Sequence, residues 1–145
     1  MPTAKDILGL KGFSIHIIPP TATVSDAVER MNQLRVGAVV VMNQGDVVGM
    51  FTERDVLRRV VGERRDPTST KVSDVMTTDV IYCEPGTDVD EISAIMKNRR
   101  IRHLPICGSD GDLLGLISIG DVNAIHASSQ QSHLNYLNEY IYGRA

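Results

Sequence analysis

The chain has 145 residues, of which 42% are apolar, enough for one compact domain with a real core. Its net charge of -3, with both signs mixed along the chain, argues against nonspecific nucleic-acid binding. No run of about 18 apolar residues is present to span a membrane, and no basic segment followed by an apolar run marks a signal peptide, so the cytoplasm is the expected location.

In chain order, Lys5-Asp6-Ile7-Leu8 is a short lead-in segment. Ser14–Ile18 is an apolar run stopped by proline and reads as a strand. Thr23 to Leu34 carries apolar residues at spacings of three and four behind an N-cap residue, and reads as a helix. Ala38–Met42 and Val47–Phe51 read as strands joined by the turn Asn43-Gln44-Gly45-Asp46, and Thr52 caps a second helix. Gly62 to Ser69 is polar, contains Pro67 and reads as a linker.

The same order then returns. Ser73-Asp74-Val75-Met76 resembles the lead-in segment, Asp79–Cys83 reads as a strand and Asp88 to Arg99 as a helix. His103–Cys107 and Leu113–Ile117 read as a hairpin around Gly108-Ser109-Asp110-Gly111-Asp112, and Ser118 caps the last helix of the unit. After the polar stretch Ser128 to Ser132, Leu134, Leu137 and Ile141 form one stripe, with Tyr136, Tyr140 and Tyr142 nearby. This predicts a C-terminal helix that packs on its own domain or on a partner chain. The expected organisation is repeat one over 1–66, repeat two over 67–127 and the helix over 128–145.

The duplication is visible residue by residue. Gly45-Asp46-Val47-Val48-Gly49-Met50-Phe51-Thr52-Glu53-Arg54-Asp55-Val56 matches Gly111-Asp112-Leu113-Leu114-Gly115-Leu116-Ile117-Ser118-Ile119-Gly120-Asp121-Val122. Upstream, Pro20, Val24, Met31 and Arg35 match Pro85, Val89, Met96 and Arg100 at one constant offset. A unit of this size cannot bury its own apolar face, so the two copies should pack together. Cys83 and Cys107 lack a CxxC spacing and sit in apolar runs, which favours buried thiols over a redox pair. His16, His103, His126 and His133 show no metal-ligand spacing, so no metal is expected.

The β-α-β-β-α repeat, the paired endings in [Thr/Ser]-x-x-Asp and the stretch Arg102-His103-Leu104-Pro105-Ile106 resemble the CBS domain, and the pair resembles a Bateman module. The resemblance covers all but the C-terminal helix. It implies an α/β (α+β) fold of two pseudo-symmetric halves and a free-standing pair without a fused enzyme, channel, transporter or kinase. It further implies an adenosine-containing ligand (AMP, ADP, ATP, NAD(H) or S-adenosylmethionine), a homodimer, and a regulatory role through an unknown effector protein rather than catalysis.

Carried onto this chain, the family pattern gives two sites. Site one joins Thr52, Arg54 and Asp55 to Val80, Ile81, Ile101, Arg102, His103 and Pro105. Site two joins Ser118 and Asp121 to Ile15, His16, Val36, Gly37, Ala38 and Val40. Unpaired amides of a helix start favour a phosphate oxygen, and an ionised Asp can accept from the ribose diol. The same hydroxyl-x-x-carboxylate pattern also describes a plain capping box, in which the acid returns to the cap amide. Arg102 and His103 suit phosphate or stand exposed on a strand edge; Arg58 and Arg59 read as a solvated helix face. Main-chain groups near Val80 and Ile81 would read the adenine edge. Site two has Gly37, Ala38 and Gly120 where site one has Arg102, His103 and Arg54, so its phosphate affinity is expected to be lower. AMP and NAD(H) are the favoured ligands. The alternatives are a thiol- or thioredoxin-linked redox regulator, as the resemblance to some plant CBS pairs suggests, and an uncharacterised enzyme.

Overall fold

The computed structural model describes residues 2–12 and 15–128. The expected C-terminal helix beyond these residues, and Ser14 of the first expected strand, lie outside the described residues.

The described elements follow the duplicated order. Half one contains β1 (Ile17–Ile18), α2 (Val24–Leu34), β2 (Ala38–Asn43), β3 (Asp46–Thr52) and α3 (Glu53–Asp55). Helix α3 runs on without a break as a π-helical stretch, Val56–Val61. Half two contains α5 (Val89–Arg99), β4 (His103–Cys107), β5 (Leu113–Ser118) and a helix, α6, over residues 119–128. Two short helices lead into the halves, α1 (Ala4–Lys11) and α4 (Val72–Val75).

Strand β1 pairs parallel to β2, and β2 pairs antiparallel to β3; β4 and β5 form a second antiparallel sheet. The backbone repeats as closely as the sequence does. The ladder shifts between Val41 and Met42 in one half and between Ile106 and Cys107 in the other. Helices α2 and α5 both end on an arginine in the left-handed conformation, Arg35 at φ 57° and Arg100 at φ 55°. The β2–β3 turn places Gln44 and Gly45 at positive φ, as a tight hairpin demands.

Thr23 caps α2 by accepting from the Asp26 amide at 3.1 Å, and Asp88 caps α5 by accepting from the Asp90 amide at 2.8 Å. Behind each cap, period-four apolar residues reach a core. One core gathers Ile18, Val24, Ala27, Met31, Val39, Val41, Phe51 and Val60 with Val72 and Val75. The other gathers Cys83, Val89, Ile92, Met96, Leu104, Ile106, Ile117 and Val122 with Ala4, Ile7 and Leu8.

The two lead-in helices are therefore exchanged. Helix α4 completes the core of half one and α1 the core of half two. Bridges Thr23–Lys71 and Thr3–Asp88 tie each lead-in helix to the cap of the helix it joins. The repeated glycine of β3 and β5 permits this docking. A Cβ on Gly49 would stand 2.6 Å from Met76 Sδ and 2.8 Å from the Thr77 carbonyl oxygen, and one on Gly115 would collide with Leu8.

Side chains alternate across a strand, so Ala38 and Val40 point away from the face that Val39 and Val41 turn to the helices. Ala38 and Val40 are nonetheless buried, as is Pro105 of β4. Both sheets are thus covered on the face turned away from their helices as well.

One predicted strand is not formed. Asp79–Cys83 is irregular, with a bend at Asp79, and touches β4 only through a parallel bridge from Cys83 to Ile106. The first expected strand shortens to Ile17–Ile18. The cause of the missing strand is Pro105. In half one the Val40 amide donates to the His16 carbonyl at 3.0 Å. Pro105 occupies the Val40 position in half two and has no amide to give, so the ladder loses that rung. The Cys83 amide to the Pro105 carbonyl, 3.0 Å, and the Cys107 amide to the Cys83 carbonyl, 2.9 Å, are what remain.

Candidate functional site

The two [Thr/Ser]-x-x-Asp segments open α3 and α6 where β3 and β5 end. Both are capping boxes. The Asp55 amide donates to Thr52 Oγ1 at 3.3 Å, and Asp55 Oδ2 accepts from the Thr52 amide at 3.0 Å. The Asp121 amide donates to Ser118 Oγ at 3.1 Å, and Asp121 Oδ2 accepts from the Ser118 amide at 2.8 Å. First-turn amides expected to face a phosphate are mostly committed. Those of Glu53 and Ile119 donate to the carbonyls of Gly37 and Arg102, at 3.0 and 2.7 Å.

Each acid also has a partner from the exchanged lead-in segment. Thr77 pairs with Met50 through amide and carbonyl, and its hydroxyl donates to Asp55 Oδ1 at 2.9 Å. In the other half, Lys11 does both jobs with one ammonium group. Its Nζ donates to the Leu116 carbonyl and to Asp121 Oδ2, both at 2.7 Å. Leu116 is the counterpart of Met50, so a lysine side chain replaces a backbone bridge. The expectation of a cation-poor second site omitted Lys11, because the lysine lies in the lead-in helix of the opposite repeat.

The acids differ in availability. Asp55 is 4% exposed, and Arg59 Nε lies 3.8 Å from its Oδ1. Arg58 and Arg59 are both exposed, as expected for a solvated helix face, but Arg59 also donates to the Met76 carbonyl at 2.8 Å and so ties the π-helical stretch to the end of α4. Asp121 has a side chain 23% exposed. Burial pushes the Asp121 carboxyl up, but the Lys11 ammonium and the Ser118 amide outweigh it and hold the pKa below the ordinary carboxylate value.

Segment 77–83 crosses from one half to the other. It leaves β3 at the Met50–Thr77 bridge and reaches β4 at the Cys83–Ile106 bridge. Val80 and Ile81 lie between these anchors, half-buried, and among the described residues their main-chain groups make no hydrogen bond. Ile101 packs partly buried against the core of half two. Arg54 and Arg102 are exposed.

His103 stands between the two helix starts. Ser118 is its cross-strand partner, while Gly37 faces it from half one: a Cβ on Gly37 would sit 3.4 Å from His103 Cε1 and would clash with the Glu53 carboxylate. Burial lowers the His103 pKa below the usual imidazole value; Glu53 and Asp121 oppose that, and Arg102 and Lys11 add to it. The structure therefore gathers Arg102, His103, Lys11, Glu53 and Asp121 where the halves meet. For the remaining site-two residues, His16 has its carbonyl engaged with Val40, Val40 is buried, and Ile15 and Val36 are half-buried.

The cysteines pack closely along the backbone but not side chain to side chain. Cys83 is bridged to Ile106, whose neighbour Cys107 projects to the opposite face. Burial raises both thiol pKa values. Among the described residues, no three His, Cys, Asp or Glu side chains are grouped to hold a metal, and no helix is long and apolar enough to cross a membrane.

Comparison with known proteins agrees with the duplicated architecture. The model of the CBS domain matches residues 11–62 and 72–125. The CBS domain-containing protein YhcV of Bacillus subtilis is 33% identical over 132 residues, which cover 91% of this chain and 90% of YhcV. The mitochondrial CBS domain-containing protein CBSX3 of Arabidopsis thaliana is 40% identical over 126 residues, covering 83% of this chain; that stretch is 61% of CBSX3, so the chain spans about three fifths of that relative. The crystal structure of the CBS-domain containing protein ATU1752 from Agrobacterium tumefaciens superposes with a TM-score of 0.81 at 35% identity, covering 86% of this chain and 99% of that one. The CBS domain protein PAE2072 from Pyrobaculum aerophilum, complexed with AMP, gives 0.74 at 25% identity, covering 83% and 89%. With two matched repeats, two cores built on one plan and relatives of the same plan, this chain belongs to the CBS-domain family and carries the domain as a tandem pair.

Proposed function

We propose that the pair is a regulatory module that binds an adenine nucleotide, AMP or NAD(H) first among them, and signals its presence to a partner protein in trans. The observation that carries this reading is the crossing segment. Val80 and Ile81 are half-buried residues whose main-chain groups make no hydrogen bond among the described residues, and the flat edge of a purine offers a donor and acceptors. The AMP bound in PAE2072 supports the ligand class.

In this reading the adenine lies against Val80, Ile81, Ile101 and Pro105. The ribose diol competes with the Thr77 hydroxyl for Asp55, and the phosphate meets Arg102 and His103, with Lys11 close to the same junction. Asp55 then has two tasks, cap and ribose acceptor, so its removal costs both stability and affinity. Site two uses Ser118 and Asp121 with the Ile15–His16 and Val36–Val40 segments, and binds more weakly because its backbone edge is already spent on β2. A homodimer is supported by exposed Leu57 and Val61, at 65% and 63%, one helical turn apart on the π-helical stretch. A cytoplasmic location belongs to the same reading. The redox alternative loses ground to two buried thiols, Cys83 on the crossing segment and Cys107 on β4, that project to opposite faces, and general acid–base catalysis to an acid already engaged by its own cap.

Thermal shift with AMP, ATP, NADH and S-adenosylmethionine tests the ligand class. Stabilisation should grow as RT ln(1 + [L]/Kd), about 2.7 kcal/mol at a hundredfold excess over Kd. AMP and NADH should stabilise more than cationic S-adenosylmethionine. No shift with any adenine ligand at millimolar concentration would overturn the reading.

A further inference from the structure

We propose that Pro105 is the residue that makes site one an adenine reader, by withholding the amide that would otherwise occupy the Ile81 carbonyl. The inference rests on the nucleotide reading above and assigns its base specificity to a single backbone feature.

The internal duplication supplies the control. In half one, bridge Ile17–Val40 is made by the Val40 amide donating to His16 at 3.0 Å, and the next bridge pairs Ile18 with Val41. In half two, the counterpart of the Ile18–Val41 bridge is present as Cys83–Ile106. The counterpart of Ile17–Val40 would pair Tyr82 with Pro105 and needs an amide at position 105. Proline has none. The chain accordingly leaves the sheet before Cys83, and Val80 and Ile81, both half-buried residues, make no main-chain hydrogen bond among the described residues. A carbonyl left without a partner at such a residue is an acceptor in waiting, and the purine substituent that satisfies it must be a donor. Adenine presents an amino group at its six position; hypoxanthine presents a carbonyl there and would set acceptor against acceptor. A site that must pair a buried polar atom rejects the analogue that cannot pair it.

The experiment replaces Pro105 by the residue its twin carries, Pro105→Val, and titrates wild type and variant with AMP and with IMP. Wild type should prefer AMP over IMP by about tenfold or more, the worth of one partnered carbonyl. In Pro105→Val the AMP-to-IMP ratio should fall towards one. Amide exchange followed by NMR supplies a readout independent of ligand: the new amide at position 105 should be protected because it donates to Ile81. Fast exchange at that amide, or an unchanged AMP-to-IMP ratio, overturns the role of Pro105. Absence of AMP binding by the wild type overturns the nucleotide reading, and the adenine role with it, whatever the exchange result.

Discussion

Lys11 and Asp121 show how one pair of side chains ties an exchanged helix down. The ammonium bonds a carboxylate and a carbonyl in half two from the last turn of α1, where a cation also suits the helix dipole. Lys11→Met should lower stability at pH 7 by about 1 kcal/mol, or about 3 °C in Tm, given that the pair is partly exposed. The sign of its pH dependence follows from the lowered Asp121 pKa. The carboxylate contributes stability above the ordinary value of 3.8, and that contribution is lost as the pH falls through its lower folded value. The difference between wild type and Lys11→Met should therefore shrink in acid to what the Leu116 bond contributes; a difference as large at pH 2 as at pH 7 would contradict the pairing. His103 works the other way round. Its folded pKa lies below 6.5, so the unfolded chain binds the extra proton and stability falls as the pH drops from about 6.5 into the acid range. His103→Gln should flatten that slope in thermal melts, and an unchanged slope would assign it to another group.

At the level of elements, most of the fold was legible because it obeys short-range rules. Apolar period and N-caps placed α2 and α5 to within a residue, and the two turns placed the hairpins. The strand at 79–83 failed because local pattern says nothing of the partner strand: whether an apolar run pairs depends here on a proline far along the chain. Lys11 escaped for the same reason, as its acid lies in the other repeat. The capping box and the ribose acceptor were indistinguishable in four residues, and the structure makes the box explicit while leaving Asp121 partly exposed. The recurring glycine of β3 and β5 is legible only afterwards, as the floor on which each exchanged helix rests. Gly49→Ala should cost about 1–3 kcal/mol, because its Cβ would meet the immobile Thr77 carbonyl. Gly115→Ala should cost less, because it meets the Leu8 side chain and no backbone atom. Denaturant melts rank the two; equal or reversed costs would contradict the difference in docking.

On the scale of the whole molecule, the exchange of α1 and α4 means that neither repeat completes its core alone. Each half depends on a helix from the other, and the crossing segment between the sheets is both the structural tie and the proposed base-reading edge. A nucleotide held there touches both halves, so its binding energy selects one mutual orientation, which is what a partner protein would sense. Amide hydrogen exchange with and without AMP tests this most directly. Slowed exchange should concentrate at Thr77–Ile81, at 101–104 and at the start of α3, with smaller changes around Ile15 and His16. Protection elsewhere, or no change at the crossing segment under saturating AMP, would contradict the proposal that adenosine is held where the two halves meet.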